Sequence, residues 1–127
     1  MKKNCDIIIG STGFIGHNLC KKIRNKKNLF TVSRKKSKNS TFGSHKKLDI
    51  RNYRLVQNYF TKIKKEYRKI NVYFLAGDSL VEKTILNPKK LVSNSINSFH
   101  NILLALKGSN STVIYASSGA VYDSRIK

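Results

Sequence analysis

Gly10, Gly13 and Gly16 stand three apart in the stretch Gly10-Ser11-Thr12-Gly13-Phe14-Ile15-Gly16. The stretch follows the apolar run Ile7-Ile8-Ile9 and leads into a segment of helical spacing. Paired phosphates can sit at a helix N-terminus only where the backbone comes close without Cβ atoms in the way. In a strand–loop–helix context, Gly10 makes the turn, Gly13 lets a pyrophosphate approach, and Gly16 packs the helix onto the strand. A glycine-rich turn of no function is the alternative. Two further groups bear on chemistry. Ser33-Arg34 closes the second apolar run with no acid nearby; Arg34 suits a ribose phosphate bidentately, and Ser33 adds a hydroxyl donor. Ser118 follows the last apolar run, where such sheets open their ligand crevice, and its hydroxyl suits an oxygen on which charge develops. Against these stand a basic residue in a very basic chain and a turn serine.

The elements that must hold these groups alternate along the chain. Ile7–Ile9, Leu29–Val32, Val72–Ala76 and Val113–Ala116 are short apolar runs, as in strands buried on both faces. Helical spacing lies between them: Ile15, Leu19, Ile23; then Val56, Phe60, Ile63, Tyr67; then Val92, Ile96, Phe99, Leu103, Leu106. A weak strand is expected around Lys47-Leu48-Asp49, and a surface loop over 35–44. Pro88 suits the first turn of the third helix. Strands alternating with amphipathic helices imply an α/β, doubly wound parallel sheet of about five strands, with all of 1–127 in one unit.

Composition narrows the partners. The 127 residues hold 26 Lys+Arg against 6 Asp+Glu, a formal charge of +20, with 39% hydrophobic residues. The apolar blocks exclude a disordered basic tail. No run approaches the roughly 20 residues needed to cross a bilayer, and Cys5–Ile9 is too short for a secretory leader. A cytoplasmic protein with no membrane partner is expected. The lysines are scattered instead of forming one stripe, and no nucleic-acid module is present, which argues against a nucleic-acid partner; a basic binder on this scaffold stays as an alternative. The field still favours polyanionic ligands such as nucleotides. Cys5 and Cys20 read as buried hydrophobes, and no ligand spacing suggests a metal.

The glycine spacing and the apolar helix after it resemble the extended short-chain dehydrogenases/reductases, the NAD-dependent epimerase/dehydratase family. Four more segments agree in order. Asp49-Ile50-Arg51-Asn52 resembles the family's segment whose carboxylate meets the adenine. Phe74-Leu75-Ala76-Gly77 resembles the fourth-strand end that lines the cofactor. Asn87-Pro88 with Asn94 and Asn97 is similar to the family's Pro…Asn-x-x-Asn helix, whose first Asn, here Asn94, lies near the nicotinamide ribose. Tyr115-Ala116-Ser117-Ser118-Gly119-Ala120-Val121-Tyr122 is similar to the segment ending in Val-Tyr-Gly, with Asp123 in place of the glycine.

The resemblance implies a Rossmann-type fold that binds a nicotinamide dinucleotide and acts by hydride transfer on a nucleotide sugar. Gly10, Thr12, Gly13, Phe14, Ile15, Gly16, Ser33, Arg34, Asp49, Ile50, Leu75, Ala76, Gly77 and Asn94 are then the cofactor residues, and Ser118 the active-site hydroxyl. Arg34 favours NADP; NAD is the alternative. Epimerase, dehydratase and reductase are not separated by these residues. The family's Tyr-x-x-x-Lys pair is missing, since none of the six tyrosines has lysine four positions on. The chain therefore reads as an incomplete dinucleotide-binding domain, truncated before the sixth strand and substrate region and inactive alone. A homodimer is expected of the longer protein. A non-catalytic dinucleotide-binding module is the other alternative.

Overall fold

The computed structural model describes residues 3–35, 42–77 and 86–117. Its elements are β1 (Lys3–Ile9), α1 (Phe14–Ile23), β2 (Leu29–Ser33), β3 (Ser44–Lys47), α2 (Tyr53–Glu66), β4 (Tyr67–Phe74), α3 (Pro88–Leu106) and β5 (Ser111–Tyr115). The strands form one sheet in the order β3-β2-β1-β4-β5, and every pairing is parallel. The chain steps outward from β1 to β3 and then returns to β1's other side. That reversal leaves a crevice at the strands' carboxyl ends, between β1 and β4.

Alternation along β1 divides the core. Cys5, Ile7 and Ile9 face one side, where Val56, Phe60 and Ile63 of α2 and Ile102, Ala105 and Leu106 of α3 close over β4. Ile8 faces the other side with Leu29 and Cys20, and Leu19 and Ile23 of α1 pack against them. Strands buried between two helical layers need apolar side chains on both faces, which is why Ile7-Ile8-Ile9 is continuous. The helix starts are set locally. Asn52 accepts from Leu55 N at 3.2 Å, Asn87 accepts from Lys90 N at 3.3 Å, and Pro88 opens α3.

Four expectations shift. β3 lies at Ser44–Lys47, slightly before the Lys47–Asp49 stretch, because Leu48 N already bonds Ser33 O where the strand leaves the sheet. Tyr67 begins β4 instead of ending α2, although it packs on the same core. Ile15 is 59% exposed; Gly16 and Cys20 are the buried residues of α1, because close approach to the loop requires the glycine's face. On α3, Val92, Ile96 and Leu103 are exposed, and Phe99 is half-buried against Phe74 and Tyr115. The helix buries Leu106 as expected, together with Ser98, Asn101, Ile102 and Ala105. Small Ser98 and Ala105 allow it close to its neighbours, and Asn101 finds partners there.

Candidate functional site

β1 ends in a turn that only glycine makes easily. Gly10 has φ +88, and an added Cβ would stand 2.7 Å from Ala76 N and 2.8 Å from Leu75 C. The turn is thereby pressed onto the end of β4. Gly10 N and Ser11 N both donate to Val32 O, at 2.9 and 3.3 Å, which ties the loop to β2 as well. Gly16 sits beneath the loop: its Cβ would come within 2.2 Å of Gly10 O and 2.9 Å of Ser11 Cα. It packs the helix onto the loop, where packing onto the strand was expected.

Gly13 is different. It is the N-cap of α1, with ordinary extended φ and ψ of −76° and 169°, and the nearest atom to an added Cβ would be Gly10 O at 3.4 Å. The fold does not need glycine here, and Gly13 lines the neighbouring cleft. No side chain caps α1 and no acid stands in its first turn. The first-turn amides have no partner within the helix, so they and the helix dipole suit an anion. A pyrophosphate fits this turn by the donors present and by the missing Cβ.

A cleft of about 930 Å³ opens beside the turn. It is lined by Gly10, Thr12 and Gly13 of the turn, by Ser33 and Arg34 at the end of β2, by Asp49 and Ile50 after β3, and by Leu75, Ala76 and Gly77 after β4. Asn94 lines a smaller cavity with Ser95 and Ser98; this cavity shares Arg34, Ile50, Arg51, Ala76 and Gly77 with the cleft. Phe14 and Ile15 do not line the cleft with their side chains, both of which are exposed. Ser118 lies outside the described residues.

The part of the cleft formed where β2 and β3 end is crowded with charge. Arg34, Lys35, Lys47 and Arg51 line it together with a single carboxylate, Asp49. Arg51 clasps that carboxylate, its Nε 2.9 Å from Oδ1 and its Nη2 2.6 Å from Oδ2, and Arg51 N adds a bond of 3.0 Å to Oδ1. These hydrogen bonds hold the Asp49 carboxyl below the usual carboxylate range, helped by the charge of Arg34. Ser33 is buried and its hydroxyl donates to Lys35 O at 2.5 Å, so it shapes the turn that presents Arg34; its proton is not directed at a ligand. His45 backs this turn from β3, its ring nitrogens 3.0 Å from Thr31 Oγ1 and 3.4 Å from Ser33 Oγ.

Lys35, Lys47, Arg51 and Leu55 were missed by sequence reasoning, as were Ser98 and Asn101. Lys47 was legible in principle, because a parallel strand beside β2 sets it level with Ser33. Among the described residues, no group of three His, Cys, Asp or Glu could hold a metal, and no helix is long and apolar enough to cross a membrane.

Sheet order, glycine turn and switch-point cleft define a Rossmann-type fold. The family model for the NAD dependent epimerase/dehydratase family matches residues 7–126, and the chain belongs to that family. Several solved structures share the fold. UDP-glucose 4-epimerase from Thermotoga maritima, solved with UDP-glucose, is 19% identical, with a TM-score of 0.76 over 91% of this chain and 38% of that one. L-threonine dehydrogenase from Clostridium difficile is 22% identical, with a TM-score of 0.73 over 93% and 37%. UDP-glucose-4-epimerase from Stenotrophomonas maltophila, with bound NAD and formylated UDP-arabinopyranose, is 18% identical, with a TM-score of 0.74 over 92% and 38%. The chain thus spans about two fifths of the length of these structures. No curated protein matches it.

Proposed function

We propose that the chain binds a nicotinamide dinucleotide, NADP in preference to NAD, as the cofactor-binding part of a nucleotide-sugar epimerase, dehydratase or reductase. The observation that carries this reading is Gly13: a glycine the fold does not require, at the uncapped start of α1, facing a cleft at the sheet's switch point. In this reading the first-turn amides of α1, Phe14, Ile15 and Gly16 among them, hold the pyrophosphate, and the side chains of Phe14 and Ile15 take no part. Asp49 and Ile50 border the adenine. Leu75, Ala76 and Gly77 line the path toward the nicotinamide, and Asn94 meets the ribose there. Arg34 faces the adenosine ribose, with Lys35 and Lys47 adding positive charge where a 2′-phosphate would lie.

When bound, the coenzyme supplies hydride exchange with a sugar carbon. The chain's own residues bind and orient it. Ser118, three residues beyond β5, is assigned the hydroxyl that donates to the substrate oxygen as charge develops there. A base to move the substrate proton is not among the chain's tyrosine–lysine spacings, so the 127-residue chain binds without turning over. We place the protein in the cytoplasm, where its coenzyme is found, and propose that it acts as a homodimer.

Titration with NADPH and NADH, followed by coenzyme fluorescence, tests the reading. NADPH is expected to bind about tenfold more tightly, and Arg34→Glu to reverse the order. Equal or tighter binding of NADH by the native chain overturns the NADP preference. Binding of neither coenzyme overturns the function.

A further inference from the structure

Helix α3 presents a polar stripe to the inside of the molecule. Asn94, Ser98 and Asn101 follow one another at four and three residues, so they share one helix face. Asn94 and Ser98 line the small cavity beside the cleft. Asn101, one turn further on, is buried, and its amide nitrogen donates to both Ile50 O and Arg51 O, at 3.0 Å each. Two carbonyl partners fix which way the amide points. Asn101 therefore uses both amide protons to hold the segment between β3 and α2 that carries Asp49 and Arg51.

We propose that Asn101 is a positioning residue of the cleft. By latching the carbonyls of Ile50 and Arg51 to α3 it fixes the wall on the adenine side and sets that wall's distance from Asn94 on the same helix. The inference rests on the dinucleotide reading above. It assigns to a residue outside the cleft the register between the cleft's two ends. The latched segment is also held at its start by Leu48 N, which bonds Ser33 O at 2.9 Å, by the buried side chain of Ile50, and by bonds within the turn. Arg51 N bonds Asp49 Oδ1 at 3.0 Å, and Asn52 N bonds Asp49 O at 3.1 Å. Those bonds shape the turn from within; Ile50 packs in the core, and the Asn101 amide supplies hydrogen bonds that fasten the turn's carbonyls to α3. A buried carbonyl deprived of its donor must find another partner or move toward water. Loss of the latch thus loosens the turn that carries the Asp49–Arg51 pair, while Leu48 and Ile50 stay anchored in the core.

Asn101→Ala in the full chain tests this with two readings. Amide hydrogen exchange, measured without any coenzyme, should show faster exchange at Arg51 and Asn52 while the β1 and β4 amides stay protected. Affinities for ADP-ribose and for NADP should both fall about tenfold, since the wall they share then spends most of its time displaced. A change confined to thermal stability, with native exchange at Arg51 and Asn52 or native affinity for ADP-ribose, overturns the proposal.

Asn101→Asp guards against a variant that fails to fold. When protonated, its isosteric carboxyl keeps one donor toward the two carbonyls; when ionised, it faces them with none. Its ADP-ribose affinity should fall between pH 5 and pH 8 by several-fold more than that of the native chain. A pH profile parallel to the native one counts against the latch. Native protein that binds neither coenzyme overturns the function proposed above, and the binding half of this inference with it. The exchange reading then still decides whether Asn101 holds the wall.

Discussion

Two glycines three residues apart should respond to the same substitution in opposite ways. At Gly13 the backbone is ordinary for an L residue, and an added Cβ would touch only Gly10 O, at 3.4 Å. Alanine is a poorer N-cap than glycine by a few tenths to about 1 kcal/mol. It also restricts the unfolded chain, which returns about 0.4–1 kcal/mol. Gly13→Ala should therefore leave stability within about 0.5 kcal/mol of native. At Gly16 the same methyl would lie 2.2 Å from Gly10 O and 2.9 Å from both Gly10 C and Ser11 Cα. These are backbone atoms of a loop tied to two strands, so they yield only by shifting about 1 Å. Overpacking of this kind costs about 1–3 kcal/mol, of which the better helix propensity of alanine returns up to about 1.

Urea unfolding followed by circular dichroism should thus place Gly16→Ala about 1–2 kcal/mol below native, with Gly13→Ala indistinguishable from it. Coenzyme titration should invert the ranking of harm. Gly13→Ala puts its methyl where the phosphates must approach, so Kd should rise at least tenfold, or about 1.4 kcal/mol. A Gly13→Ala protein that binds NADPH as tightly as native, or that is as unstable as Gly16→Ala, refutes the assignment of the open side of Gly13 to a ligand.

Other perturbations probe the frame around the site. Tyr59 buries its hydroxyl with no hydrogen-bond partner among the described residues, and burial pushes its pKa up. Tyr59→Phe should therefore be neutral or stabilising by up to about 1 kcal/mol; a loss of more than that in urea unfolding would show a hidden partner. Cys5 and Cys20 are buried, and burial together with the Asp6 charge pushes the Cys5 thiol up to about 12. Native protein at pH 8 should resist iodoacetamide at both thiols and label only on opening; fast modification of Cys5 would contradict its burial. The raised value also makes stability fall as pH climbs from 9.0 toward about 12, because unfolded Cys5 releases its proton first. For Asp49 the shift is downward from 3.8, so its contribution is present above that value and is lost as pH falls through the lower, folded one. Arg51→Ala should flatten that acid limb in a pH series of urea midpoints, and an unchanged limb would exclude the pair as its source.

Much of the fold was legible because it is written in local patterns. Ile7-Ile8-Ile9 reads as a strand covered on both faces whatever covers it, and the glycine spacing marks a turn even though Gly10 also answers to the distant Leu75 and Ala76. Strand and helix order then leave few topologies. Most of the cleft-lining residues expected from the sequence meet at one crevice for the same reason: they sit at strand ends, and parallel strands bring like ends together.

The inward face of α3 was legible only in part. Of its apolar stripe, Phe99 and Leu106 turn toward the core while Val92, Ile96 and Leu103 are exposed, and Ser98 and Asn101 are buried. Periodicity marks a helix and names its apolar face, but it carries no information on which distant backbone groups lack a partner. Only the folded chain sets the carbonyls of Ile50 and Arg51 against α3, where the two amide protons of Asn101 satisfy both. The gathering of Arg34, Lys47 and Arg51 around one carboxylate was hidden likewise. Charges far apart in the chain acquire neighbours only when the sheet brings their strand ends together, so the character of this part of the cleft was decided by the tertiary structure alone.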